Sequence, residues 1–109
     1  MTLPKLPITI GRFFDAVHKA DTNAFISFFP NDGVLIDSGR RFTGHAQILG
    51  WSDREFIGAR GRMQIRTVEE SAEEVIVTGR WASNFYTGLA RFAFTLDGDK
   101  IRQINITGT

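Results

Sequence analysis

The apolar residues of this chain change their spacing at Gly61, and that change bounds what it can fold into. Before Gly61 they recur every three to four residues; after it, every second residue. The first spacing is one stripe on a helix and the second is one face of a strand, so helices lead and strands follow. Ile10, Phe13, Phe14 and Val17 predict a helix between Ile8 and Ala20, with Pro7 and Thr9 suited to its start. Asp21 can cap a second, short helix that carries Phe25, Phe28 and Phe29 on one side. Pro30-Asn31-Asp32-Gly33 stops it.

The run Val34-Leu35-Ile36-Asp37, the turn Ser38-Gly39 and Arg40-Arg41-Phe42 predict a hairpin of two short strands. Thr43-Gly44 opens a third helix through about Trp51. Ser52-Asp53-Arg54-Glu55 has capping-box spacing, which predicts a restart of the helix there, running on through Phe56 and Ile57. Beyond the loop at Gly58–Gly61, Met63, Ile65 and Thr67 share one face of a strand, as do Val75, Val77 and Trp81, then Ala90, Phe92, Phe94 and Leu96, then Ile104 and Ile106. Asn84 to Gly88 reads as a loop, and Asp97-Gly98-Asp99-Lys100 as a tight turn. Segregated helices and strands indicate an α+β fold, with about three helices packed on one face of a mostly antiparallel sheet. The opposite face carries Arg62, Gln64, Arg66, Arg80, Arg91, Thr95, Gln103 and Asn105, too polar for core.

A length of 109 residues implies one domain, 1–109. Ten Phe imply a bulky core or an apolar cavity, while a net charge of +1 gives no electrostatic footprint for nucleic acid. The chain lacks Cys, which removes disulfides, thiolate metal sites and a Cys nucleophile, and fits cytoplasmic localisation. No apolar run is long enough to span a bilayer, so no membrane partner is expected. Met1 to Pro7 reads as an extended arm with two prolines and not as a signal peptide.

Phe13-Phe14, Ala24-Phe25-Ile26-Ser27-Phe28-Phe29, Gly33-Val34-Leu35-Ile36-Asp37, Phe42-Thr43-Gly44-His45-Ala46-Gln47-Ile48 and Arg91-Phe92-Ala93-Phe94 before Lys100-Ile101 occur in an order that resembles the nuclear transport factor 2-like superfamily, in its SnoaL-like and ketosteroid-isomerase-like branch. The resemblance runs from about Ile8 to Thr107. It implies a cone in which a strongly curved sheet wraps a pocket closed by helices, and a homodimer. It also implies that Asp37 stands where ketosteroid isomerases hold their general base, at the end of the first strand. The two hydrogen-bond donors of those enzymes fall on Phe13 and Ala90, neither of which can donate. Each such donor is worth about 10²–10³ in rate, so steroid isomerisation is not expected.

Asp37 has two readings. It is a pocket carboxylate able to take a proton α to a carbonyl, or it is a turn starter bonding backbone N–H groups beyond it. Residue type favours the turn, and alternation does not choose, because Val34 and Ile36 are as apolar as Leu35. The expected ligand pocket comprises Phe13, Val17, Trp51, Phe56, Trp81, Tyr86 and Phe92, with Tyr86 a donor at the rim; aromatic walls suit an apolar small molecule. His18 is expected at solvent or at the pocket rim, and His45 at the surface of a helix start. With no carboxylate at ligand spacing, they predict no metal, and no cofactor motif is present. Ser52–Glu55 is expected to be a solvated cap. The functions that follow are, first, a small-molecule-binding domain without assignable chemistry. The second is an isomerase, cyclase or dehydratase acting on an apolar carbonyl compound through Asp37. The third is a dimerising interaction module that uses the polar sheet face.

Overall fold

A computed structural model describes residues 5–108. The first four residues of the expected N-terminal arm, and Thr109, lie outside the described residues. Helix α1 spans Ile8–His18, α2 Thr22–Ser27 and α3 Gly44–Glu55; the strands are β1 Val34–Asp37, β2 Arg40–Thr43, β3 Arg62–Glu70, β4 Val75–Ala82, β5 Thr87–Asp97 and β6 Lys100–Gly108. All six strands form one sheet in the order β2-β1-β6-β5-β4-β3. Only β1 and β6 pair in parallel; the other neighbours are antiparallel. The α+β expectation therefore holds, and the period change at Gly61 separates the last helix from the long meander.

Each local element has a local cause. The stripe Ile10, Phe13, Phe14 and Val17 is buried on α1. Asp21 caps α2 by accepting from the Ala24 N–H. Gln47 reaches back to the Thr43 backbone N–H at 2.9 Å and fixes the start of α3. The helix does not restart at Ser52, contrary to the capping-box spacing. It runs unbroken from Gly44 to Glu55 and stops there, where fully buried Ser52 accepts the Ile57 and Gly58 N–H groups through its Oγ and carbonyl oxygen. Phe56 and Ile57 follow the helix instead of continuing it. Strand β5 starts at Thr87, inside the expected loop.

The core lies between the helices and the inner face of the sheet. Phe13 is its centre, fully buried, with the rings of Phe14, Phe25, Phe28, Phe29, Phe56 and Phe94 at centroid distances of 5.2–6.4 Å. Most of these contacts are edge-on or tilted, the arrangement that aromatic quadrupoles prefer. On β3 the alternation breaks: the register shifts between Ile65 and Thr67. That bulge brings Val68, not Thr67, into contact with the core, while the Thr67 hydroxyl bonds that of Thr78. Inner-face membership for Thr67 was the wrong expectation, since a period-2 reading cannot see an inserted residue.

His18 is half-buried and does not line a pocket rim. Its Nε2 accepts the Met63 N–H at 3.0 Å and ties the end of α1 to β3. Burial, and to a lesser degree Arg62, depresses its pKa below 6.5, against an opposing pull from Asp15. Since the folded value lies below the unfolded one, the unfolded chain binds the proton first as pH falls. Stability is then full above about pH 6.5 and erodes as pH drops toward the depressed folded value. Thermal unfolding followed from pH 8 to about pH 5 is expected to show this loss, and His18→Gln to flatten the slope between about pH 6.5 and 5. An unchanged slope in the variant would remove His18 as the cause.

Candidate functional site

The two-residue turn decides where Asp37 points. Ser38 and Gly39 both take left-handed φ values, +51° and +84°, the geometry of a tight hairpin turn. Their strands then pair Asp37 directly with Arg40, and directly opposed side chains share a face. Arg40 Nη2 donates to Asp37 Oδ2 at 2.8 Å. On α3, Trp51 and Glu55 are four residues apart and so lie on one side of the helix. Trp51 Nε1 donates to the same Asp37 oxygen at 3.0 Å, and Glu55 takes Arg40 on both of its oxygens, at 2.9 and 2.5 Å. Asp37 Oδ1 accepts no hydrogen bond among the described residues. The Asp37 and Glu55 side chains retain only 18% and 10% of their exposure, and Arg40 retains 49%. Hydrogen bonds from Arg40 hold the Glu55 carboxyl below its usual pKa, and those to Glu55 hold Arg40 above its own.

These groups form one end of a cavity of about 180 Å³. Its other walls are Trp51, Phe56, Trp81, Phe92 and Ile106, and Phe85 and Tyr86 of the β4–β5 connection stand at an exposed edge. Phe56 stacks between the two indoles, with centroids 4.6 Å from each. Side chains are short at one level of the sheet beside the cavity. Ala90 pairs with Gly108 and both line it, so these two adjacent strands contribute one methyl there. Ser83 orders the edge: its Oγ accepts the N–H groups of Phe85 and Tyr86 at 3.1 and 2.9 Å. The Tyr86 hydroxyl donates to the Leu89 carbonyl at 3.2 Å.

Of the residues expected at a pocket, Asp37, Trp51, Phe56, Trp81, Tyr86 and Phe92 line this cavity. Phe13 and Val17 do not. Both are buried in the helix-side core among the other members of the apolar cluster. The Asp37 carboxylate bonds Arg40 and Trp51 rather than the backbone of its turn. Of Ser52–Glu55, Asp53 and Arg54 are exposed, as a solvated cap requires, whereas Ser52 is buried and Glu55 lines the cavity. His45 is partly buried and donates to the Phe29 carbonyl at 2.8 Å, away from Asp37. Arg40, Glu55, Ala90, Ile106 and Gly108 were not read as wall residues. For Arg40 the signal was present, as an opposite charge directly across a two-residue turn from Asp37; for Glu55 it was the four-residue spacing from Trp51. Among the described residues, no group of three or more His, Asp or Glu is placed to hold a metal ion, and no helix is long and apolar enough to cross a membrane.

No protein-family model matches the chain, and no curated protein sequence matches it. Solved structures do. A candidate polyketide cyclase from Sinorhizobium meliloti is 23% identical, with 94% of this chain and 95% of that one aligned at a TM-score of 0.82. A protein from Catenulispora acidiphila with a ketosteroid isomerase-like fold, in complex with trimethylamine, is 17% identical over 96% of this chain and 88% of its own, at 0.81. A computationally designed 17-OHP binder is 12% identical over 94% and 88%, at 0.82. The chain thus has the nuclear transport factor 2-like cone fold, of the SnoaL-like and ketosteroid-isomerase-like form.

Proposed function

We propose that this cone-fold domain binds one compact small molecule, about the size of a single substituted ring. Its apolar body would lie against Trp51, Phe56, Trp81 and Phe92, with a polar group at Asp37. The observation that carries this reading is the cavity of about 180 Å³, walled by aromatic side chains and closed at one end by three hydrogen-bonded charged groups. An apolar cavity of about 150 Å³ already accepts benzene. Drug-sized ligands use about 300–1,000 Å³, so a multi-ring compound does not fit this volume. Similar structures described as a trimethylamine complex and as a 17-OHP binder support ligand holding as a use of this fold.

Native mass spectrometry with a panel of single-ring compounds tests the proposal. The wild-type chain is expected to carry one adduct per protomer. Ala90→Leu, which fills the floor of the cavity, is expected to lose it while unfolding at a similar temperature. An adduct retained in Ala90→Leu would contradict the site. The same spectra read oligomeric state. Homodimerisation is part of this proposal, and in the described residues its support is the polar outer sheet face, where Arg62, Arg66, Arg80 and Arg91 make no salt bridge. Cytoplasmic placement, consistent with the lack of Cys, completes it.

A second reading makes Asp37 a general base in an isomerase, cyclase or dehydratase. The free Oδ1 beside a Trp51-anchored Oδ2 favours it. An enolate formed there would need a donor, and the cavity presents the Ala90 methyl where the resemblance asks for one, with Phe13 outside the cavity. Binding is therefore the leading function. Under the second reading, Asp37→Asn abolishes turnover of an apolar carbonyl substrate while leaving its binding intact.

A further inference from the structure

Resting on the reading of this cavity as a ligand site, we propose that its ligand is a protonated amine carrying a small apolar body, and not a carboxylate or a phosphate. The charged residues lining the cavity are Asp37, Glu55 and Arg40, two negative and one positive, which leaves a surplus of one negative charge. Arg40 does not balance both acids. Its Nη1 and Nη2 bind the two Glu55 oxygens, so Glu55 is fully paired. Asp37 receives Nη2 and the Trp51 N–H on Oδ2 alone. The surplus charge sits at Asp37, whose Oδ1 has no partner among the described residues.

The surroundings strengthen that surplus. Asp37 retains 18% of its side-chain exposure, and its neighbours in the cavity are Trp51, Phe56, Trp81, Phe92 and Ile106. Charges partly withdrawn from water are screened less than surface charges. An ammonium group brings up to three N–H donors and one positive charge, and a charge-assisted hydrogen bond is roughly twice as strong as a neutral one. A neutral alcohol can donate to Oδ1 but leaves the charge uncompensated. An anion meets the surplus carboxylate, and the Arg40 Nη groups that would receive it already hold Glu55 and Asp37. The apolar walls account for the ligand's body, and the volume limits that body to about one ring.

The chain holds two Trp, and both line the cavity, so intrinsic fluorescence reports occupancy directly. Titration at near-neutral pH and low salt uses benzylamine, benzyl alcohol and benzoate, which share a ring and differ in charge. Benzylamine is expected to bind about tenfold tighter than benzyl alcohol, with benzoate weakest. Asp37→Asn is expected to bring benzylamine down to the level of the alcohol. Arg40→Gln, which doubles the negative surplus, is expected to tighten benzylamine several-fold, whereas an anion site anchored by Arg40 would lose benzoate in that variant. Circular dichroism verifies that both variants are folded, and added salt provides a check on the wild-type chain alone by weakening benzylamine selectively. Benzoate binding as tightly as benzylamine, or alcohol and amine binding alike, overturns the amine assignment and leaves the cavity as a ligand site. No response to any of the three compounds overturns the cavity reading, and the amine assignment with it.

Discussion

Phe13→Ala is expected to lower the stability of this domain by about 3–5 kcal/mol. The side chain is fully buried and six aromatic rings surround it, so its removal leaves a hole that no single neighbour can refill. Domains of this size have roughly 5–15 kcal/mol in total, so the loss is a large share of it. Guanidinium denaturation is the direct measurement: the midpoint should fall with little change in slope. Phe13→Leu should recover a substantial part of the loss, because it restores most of the volume. A midpoint near wild type in Phe13→Ala would mean that the helix–sheet core is not organised around this ring. The same burial explains why Phe13→Tyr does not supply a catalytic donor. The new hydroxyl would enter an apolar cluster at a cost of about 1–3 kcal/mol, outside the cavity that holds Asp37.

Gly61→Ala is expected to disrupt the ligand cavity through one methyl group. A Cβ at Gly61 would overlap Cζ2 and Cη2 of the Trp81 indole. That ring is buried and stacked nearly parallel on Phe56, with an interplanar angle of 9°, so it yields only by giving up that stack and moving into the cavity it lines. Overpacking of this kind costs about 1–3 kcal/mol. The ring must leave its stack, which should shift the tryptophan emission and abolish binding of single-ring compounds. Replacing Trp81 by Val in the same chain removes the overlapping ring atoms, so the double variant should lose less stability than the two single changes added together. Additive losses would show that Gly61 and Trp81 do not meet in solution.

The two variants also separate what could be read along the chain from what could not. The helix stripe from Ile10 to Val17, the Asp21 cap and the Ser38-Gly39 hairpin are products of local spacing, and local spacing is what a sequence displays. The order of elements carried the cone fold for the same reason. Phe13 and Phe56, however, are both apolar rings on or beside helices, and nothing in their type or spacing assigns one to the solid core and the other to a cavity wall. Ser52-Asp53-Arg54-Glu55 misled because capping-box spacing at a helix start and at a helix end look alike; burial of Ser52 and capture of Glu55 by Arg40 decided between them.

The sequence by itself determined the helix-then-strand division at Gly61, the tight hairpin that sets Asp37 opposite Arg40, and the single polar outer face of the sheet. All three depend on residues within a few positions of one another, where backbone geometry repeats and side-chain direction follows. Only the tertiary structure decided that β1 would lie parallel to β6, that a bulge would turn Thr67 away from the core, and that Asp37 would face a cavity. That cavity borders the level where Ala90 and Gly108 meet across two strands. Its existence depends on cross-strand register and on the sizes of side chains far apart in the chain, quantities that are defined only once the sheet has formed.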